Sequence, residues 1–354
     1  MPEMLLHNIK KDAKIAVIRF SSLGDIILAM PVLKILRHSV PEATIKIIVK
    51  EPYSELFTEC SYIDGVIPLA PKNHEKHPIR NLIKKLQTEQ FDLMLDWHGN
   101  LRSRLLSIVS IKTRVIRYRK GSIQRRLLVT LGRRWGRFPT TAEKYLKTIK
   151  NIKFREQLQG PELELSEQER QWAHHELSNR FPRSAGIVIC MGPGARHATK
   201  RWPSDEYKKL AQLFLNSNTK IKGIVLLGDE GEYSMLEPIS RHLEPAVINL
   251  AGSLSIRETA SIIDQSHFMI TNDTGLMHLA TAVSTPVIAI FGPTSRELGF
   301  FPMGHQARVV ETMLPCRPCS LHGSEACPLG TLECMTSISA DRVYQEATKL
   351  LAPD

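Results

Sequence analysis

A chain of 354 residues, 42% hydrophobic and 23% charged, has the composition of an ordinary globular protein and is too long for one small core. It has no run of about 18 apolar residues to cross a bilayer, no signal-peptide pattern in "MPEMLLHNIKKDAK" and no secreted-type cysteine framework, so a cytoplasmic protein of two domains is expected. Its formal charge of +11 is concentrated: between Asn100 and Thr140 there are twelve Lys or Arg and no acid, which leaves the rest near neutral.

In chain order, "KIAVI" reads as a buried strand, and "RFSSLGDIILAMPVLKIL" behind it as a tight glycine turn opening a helix. Further strands are expected at "TIKIIVK", "GVIPL" and "FDLMLDW", with helices starting near Gly24 and Pro78 and after Gly99. The polar segment 155–180, with "SEQERQWAHHEL", reads as a linker carrying its own helix. The rhythm then restarts with "GIVICM", "GIVLLG", "AVINL", "HFMIT" and "PVIAIFG", and with helices after Pro203, Gly231, Ser255 and Thr274. Strand–helix alternation makes parallel sheets covered by helices, and it occurs twice. The expected fold is therefore α/β, two Rossmann-like doubly wound domains facing across a cleft. The boundaries are 1–165 and 181–354, with a linker at about 166–180 and a C-terminal helix free to pack back on the first domain. Ligands of such folds bind outside the C-terminal ends of the strands.

Neither half carries G-x-G-x-x-G after its first strand, and no G-x-x-x-x-G-K-[ST] occurs. Two stretches of the second half suit a phosphate better. In "MGPGARHATKRWPSDEY" the glycines, Gly194 among them, let the backbone approach a ligand closely, and Lys200 supplies a mobile charge. In "MITNDTGLMHLATAV" a strand ends at Asn272-Asp273, and Thr274-Gly275 opens a helix whose first N–H groups form an anion site. Asp25, at the mouth of the first helix, would repel a phosphate. An ionised carboxylate there is favoured by the helix dipole and is placed to take a proton from a hydroxyl; its plainer role is to stabilise its helix. The basic block, with Arg102 and Arg104 after "WHGN" and Arg114, Arg117, Arg119, Arg125 and Arg126 beyond, is either a solvated face or a surface for nucleic acid, an anionic membrane or a phosphorylated substrate.

Taken together, "RFSSLGDIILAMPVLKILR", "FDLMLDWHGNLRS", "KRWPSDEYKKLAQLF" and "TNDTGLMHLATAVSTPVIAIFGPTS" resemble the motifs of the ADP-heptose:lipopolysaccharide heptosyltransferases, glycosyltransferase family 9. The resemblance runs from about residue 14 to 345 and is weakest between 110 and 180. It implies a GT-B fold with the acceptor on the N-terminal domain and the nucleotide sugar on the C-terminal one. It implies inverting transfer of heptose from ADP-heptose to the lipopolysaccharide inner core, at the cytoplasmic face of the inner membrane of a Gram-negative bacterium and with no required cofactor. By motif, Asp25 would be the general base, with Ser22 and Gly24 beside it on the acceptor side. Lys200 would contact the diphosphate or the transferred sugar. Asp273, Thr274, Gly275, His278 and Gly194 would hold the donor, with Glu232 of "GDEGEYS" on the ribose. Arg102, Arg104, Arg117 and Arg119 would face the phosphorylated glycolipid. The family usually has Gln where this chain has His98. The first half looks like enzymes adding the first heptose, and "KRWP" with "TNDTGLMH" like those adding the second.

The chain contains no Asp-x-Asp, so fixed cations and amides are expected to stabilise a leaving diphosphate. "CRPCSLHGSEACPLGTLEC" gathers Cys316, Cys319, Cys327 and Cys334, a candidate structural zinc set, a local disulfide or reduced thiols packing a loop. Cys60 and Cys190 read as ordinary buried cysteines. The competing functions are a GT-B enzyme with another nucleotide sugar, such as a UDP-sugar epimerase, and a basic nucleic-acid-binding protein. The second explains the charge but leaves Asp25 and Lys200 without a role.

Overall fold

The computed structural model describes residues 9–70, 77–109, 113–131, 138–149, 158–182, 186–217, 220–304 and 306–351. Four cations of the basic block, Lys112, Arg133, Arg134 and Arg137, lie outside the described residues. The chain divides into two units, residues 1–121 with 139–161, and 122–138 with 162–354.

The first unit is a five-stranded parallel sheet in the order β3-β2-β1-β4-β5. Its strands are β1 (Lys14–Ile18), β2 (Thr44–Lys50), β3 (Gly65–Leu69), β4 (Leu93–Asp96) and β5 (Arg114–Arg117). The register sets Ile15 against both Ile45 and Leu93. Four of the five residues of "KIAVI" are buried, as an apolar run covered on both faces requires. Helices α1 (Leu23–Ile27), α2 (Met30–Ser39), α3 (Pro78–Glu89), α4 (Leu101–Val109) and α6 (Thr141–Ile149) accompany it, while α5 (Ser122–Leu131) falls in the second unit. In α2, Pro31 sits in the first turn, where its missing N–H costs nothing, and Val32, Leu33, Ile35 and Leu36 are buried.

The second unit holds a six-stranded parallel sheet in the order β11-β10-β9-β6-β7-β8. Its strands are β6 (Ile187–Gly192), β7 (Ile221–Leu226), β8 (Val247–Asn249), β9 (Met269–Asn272), β10 (Val287–Phe291) and β11 (Ala307–Glu311). Its helices are α7 (Glu167–Arg180), α8 (Ser204–Asn216), α9 (Tyr233–Ser240), α10 (Ile256–Asp264), α11 (Gly275–Ala282), α12 (Glu333–Thr336) and α13 (Ala340–Leu351). In α8, Tyr207, Leu210, Ala211 and Phe214 are buried, the i, i+3, i+4, i+7 stripe of a helix lying on a sheet. The linker helix α7 is capped by Ser166 and Glu169, and Glu169 also takes two hydrogen bonds from Arg257 of α10, at 2.5 and 2.7 Å. The last helix, α13, packs on α8, and the Glu206 carboxylate caps it at the Ala340 N–H, 2.7 Å away.

Both sheets have the doubly wound strand order, which reverses beside the first strand of each unit: between β1 and β4, and between β6 and β9. At such a switch point the loops beyond adjacent strands splay to opposite faces and leave a crevice. Asp25 follows β1 and His98 follows β4; Gly194 and Lys200 follow β6, and Asp273 follows β9. These residues, singled out from the sequence for chemistry, thus lie at places where this fold makes room for a ligand.

Candidate active site

In the first unit the local chemistry begins at Arg19, the residue after β1. Its guanidinium is buried, donates to the Trp97 carbonyl at 2.7 Å and lies 2.5 Å from Asp25 Oδ2. The same Oδ2 takes the Ser22 hydroxyl at 2.9 Å and the Ser22 N–H at 3.3 Å. Three donors thus load one oxygen of the carboxylate, and Asp25 Oδ1 accepts no hydrogen bond from the described residues. The Asp25 side chain is 19% exposed. Burial would raise its carboxyl, but Arg19 and Ser22 outweigh it and hold the group below the ordinary aspartate value. Asp25 is therefore ionised, fixed by one oxygen and open at the other. Ser22 acts as its support, and Gly24 is buried in the second position of α1.

His98 stands beside this pair, its ring edge-on to Phe20 at 4.8 Å. Nδ1 is shut off from solvent with no hydrogen-bond partner among the described residues. Burial, then the charges of Arg19 and Lys120, push the imidazole down to about 4, so it is neutral near pH 7. The turn that carries it is tied by Asp96, a fully buried acid at the end of β4. Asp96 accepts the N–H of His98 at 3.1 Å, the N–H of Gly99 at 2.8 Å and the Ser103 hydroxyl at 3.0 Å. Gly99 has φ +61°, which L-residues with a side chain avoid. Arg117 also reaches Asp96, at 3.3 Å, while Arg102, Arg104 and Arg119 are exposed. Arg19 and Asp96 were not picked out from the sequence. The available signal was a charged residue directly after a fully apolar strand, where burial forces it to find a partner.

In the second unit, Lys200 Nζ lies 2.6 Å from Asp273 Oδ2 and donates to the Asp273 carbonyl at 2.9 Å. Thr294 donates its hydroxyl to the same Oδ2 at 2.7 Å. Asp273 therefore holds the lysine rather than offering itself to an anion. Next to it α11 begins at Gly275 behind Thr274, which makes no side-chain cap, so the first-turn N–H groups are free to meet an anion. His278 is buried one turn further on. Asn272 ties the strand ends together: its amide donates to the Pro193 and Gly194 carbonyls at 2.7 and 3.2 Å, and its oxygen accepts the Trp202 N–H at 3.2 Å. A Cβ on Gly194 would stand 2.1 Å from the Glu232 carboxyl carbon, and one on Gly228 2.7 Å from a Glu232 oxygen. The glycines are thus the floor beneath this acid. Burial pushes the Glu232 carboxyl above the ordinary glutamate value, against the pull of the Asp229 N–H.

The cysteine loop packs on the lysine segment. Thr199 and Ser324 exchange hydrogen bonds of 2.8 to 3.0 Å, and Gly323, with φ +94°, leaves 3.0 Å between its missing Cβ and Lys200 Cγ. The zinc expectation finds no support in this arrangement. All six cysteines are free thiols, and among the described residues no group of three or more His, Cys, Asp or Glu is placed to hold a metal. The four sulfurs of the loop nevertheless act on one another. Burial, then Cys316 and Cys327, push the Cys319 thiol up. Burial, with Cys319, Cys316 and Cys327 beside it, pushes Cys334 up to about 11. Cys334 is buried in the second unit's core, and Cys327 faces the N–H groups of Leu332 and Leu329, which hold its thiol below the ordinary value. Cys190 is buried, with its thiol pushed up to about 12, whereas Cys60 is only half-buried.

Two Rossmann-like units, each a parallel sheet with the doubly wound strand order, are the architecture of the GT-B class. Residues 79–328 match the model of glycosyltransferase family 9 (heptosyltransferase), and the chain belongs to that family. It is 25% identical to lipopolysaccharide heptosyltransferase 2 of Escherichia coli K12 over 359 residues, 96% of this chain and 98% of that protein. It is 25% identical to lipopolysaccharide heptosyltransferase 1 of Pseudomonas aeruginosa over 320 residues, 86% of each. Among solved structures, E. coli ADP-heptose lps heptosyltransferase II shares the fold with a TM-score of 0.75 at 23% identity, covering 96% of this chain and 98% of that one. A family 9 glycosyl transferase from Veillonella parvula does so with 0.78 at 20% identity, covering 96% and 97%.

Proposed function

We propose that this enzyme transfers L-glycero-D-manno-heptose from ADP-heptose to the lipopolysaccharide inner core, Kdo₂-lipid A or its heptosylated form, with inversion and without a metal. The observation that carries the reading is the asymmetric Asp25 carboxylate, one oxygen loaded by Arg19 and Ser22 and the other open. In the step we infer, the acceptor oxygen bonds to the anomeric carbon as the bond to the ADP oxygen breaks on the opposite side. The hydroxyl proton passes to Asp25 Oδ1. The acidity of that hydroxyl rises steeply as its oxygen bonds to carbon, so a carboxylate held below its ordinary value still accepts the proton. Lys200 and the N–H groups of α11 stabilise the charge on the departing diphosphate. Glu232 reads the ribose hydroxyls over its glycine floor. The exposed cations Arg102, Arg104 and Arg119 receive the acidic glycolipid, with Arg117 at the Asp96 turn, and the enzyme acts at the cytoplasmic face of the inner membrane.

The similarity to both named heptosyltransferases supports the donor and the acceptor class. The test is transfer from ADP-heptose to Kdo₂-lipid A and to its mono-heptosyl product, side by side, with and without EDTA. Turnover unchanged by EDTA, with inverted anomeric configuration in the product, is expected, and the preferred acceptor names the step. No turnover with either acceptor, but binding of another nucleotide sugar or of nucleic acid, overturns the reading. Gly194→Ala is expected to raise the donor KM roughly tenfold or more, because its Cβ meets the Glu232 carboxyl, with a much smaller change in kcat. Steady-state kinetics with varied ADP-heptose check this.

A further inference from the structure

Six large apolar side chains are prominently exposed among the described residues, and three of them, Leu101, Leu105 and Ile123, fall within the stretch that has no acid. Leu101 and Leu105 are 76% and 48% exposed. They lie four residues apart on α4, hence one above the other on one face, with Arg102 and Arg104 exposed on its two flanks. This is not a loose loop end. Asn100 Oδ1 accepts the Ser103 N–H at 2.9 Å, Ser103 Oγ accepts the Asn100 N–H at 3.1 Å, and Asp96 fixes the turn from inside. The fold therefore displays two leucines among cations from a locked turn, directly after the strand end that carries His98.

We propose that this face of α4 docks on an anionic phospholipid bilayer, with Leu101 and Leu105 entering the acyl boundary and Arg102 and Arg104 on the headgroups. Charge and apolarity together select that occupant. Lys and Arg near an anionic leaflet are drawn to it, and apolar side chains between them add burial that a purely ionic surface does not offer. A nucleic acid would satisfy the cations and leave the leucines in water. Docking here would bring the membrane to the loop beyond β4, where a lipid-borne acceptor must arrive. The inference deepens the acceptor half of the proposed function and rests on it.

The full chain is floated with phosphatidylcholine vesicles lacking or containing phosphatidylglycerol, at low and high salt, as wild type and as Leu101→Ser/Leu105→Ser. Wild type is expected to bind the anionic vesicles only, less at high salt. The double variant is expected to lose roughly tenfold or more of that partitioning with an unchanged thermal midpoint. Leu101→Trp is expected to show a blue-shifted emission on binding. Wild-type binding equal on neutral vesicles, a double variant that binds as wild type, an unshifted tryptophan, or preference for an oligonucleotide over vesicles overturns it. Turnover of a lipid-free, water-soluble acceptor separates the two readings. It stays at the wild-type rate in the serine variant if only docking is lost, and it is absent from wild type if the proposed function itself fails.

Discussion

Asp25→Asn is expected to lower kcat by about 10³-fold while nucleotide binding stays within about twofold of wild type, the size that loss of a positioned base commands. The substitution is isosteric and keeps an oxygen for Ser22, so the loss reports the charge and not the shape. It also leaves the Arg19 guanidinium, buried against Trp97, without its carboxylate, and removing one partner of a buried pair costs a fold dearly. A lower thermal midpoint is therefore expected alongside the lost rate. The double variant Arg19→Met/Asp25→Asn separates the two effects: it should recover stability and recover no activity. Recovery of activity would show that Asp25 serves the fold alone.

The pH dependence takes its sign from the same contacts. A carboxyl held below its ordinary value contributes stability that is present above the unfolded value of about 3.9 and is lost as pH falls through the lower folded one. His98, pushed down to about 4, carries no proton near neutrality, so protonation below its unfolded value of about 6.5 works against the fold. Neither group gives kcat an acid limb between pH 5 and 8. Rate profiles of wild type and Asp25→Asn over that range, each on protein shown to be folded, check this.

Lys200→Ala is the second large effect, an expected fall of about 10²- to 10³-fold in kcat/KM, since in the proposed function the ammonium faces charge that grows as the diphosphate departs. Asp273 keeps only Thr294, so the loss includes some disorder of the loop. Lys200→Arg is not expected to restore the rate. The lysine fits a point charge between the Asp273 carboxylate and carbonyl, at 2.6 and 2.9 Å, and a planar fork does not. Asp273→Asn should cost less, about tenfold, because the lysine remains but is no longer steered. Equal losses in Asp273→Asn and Lys200→Ala would instead place the aspartate itself on the ligand. Steady-state kinetics with both substrates varied distinguish these outcomes.

Much of this architecture was legible in the order of residues. Nine strands announce themselves as short apolar runs, because strands covered on both faces leave no room for polar alternation. The two strands that went unread, β5 and β11, are "RVIR" and "ARVVE", edge strands whose flanking charges disguise the apolar pair inside. Asp25, Lys200 and Thr274 were readable because each stands beyond a strand end, near a glycine or helix start. Their partners were not. Asp96 makes its contacts through a turn that exists only once Gly99 takes a positive φ, and the bonds of Lys200 to Asp273 join residues 73 apart. Composition carries no record of such distances. The cysteine loop was equally out of reach, since which of its thiols meet depends on how residues 316–334 fold, not on their spacing.

The bond between Lys200 and Asp273 also bears on the release of product. A lysine that faced a diphosphate with nothing behind it would surrender that anion slowly, and a spent nucleotide would occupy the enzyme between turnovers. Here an anion of the protein's own waits at 2.6 Å for the same ammonium. If Lys200 meets the diphosphate as proposed, a departing nucleotide would give way to this tethered competitor, and the ammonium would not be left bare. The carboxylate that weakens the grip on substrate would then be the one that hastens the exit of the spent nucleotide.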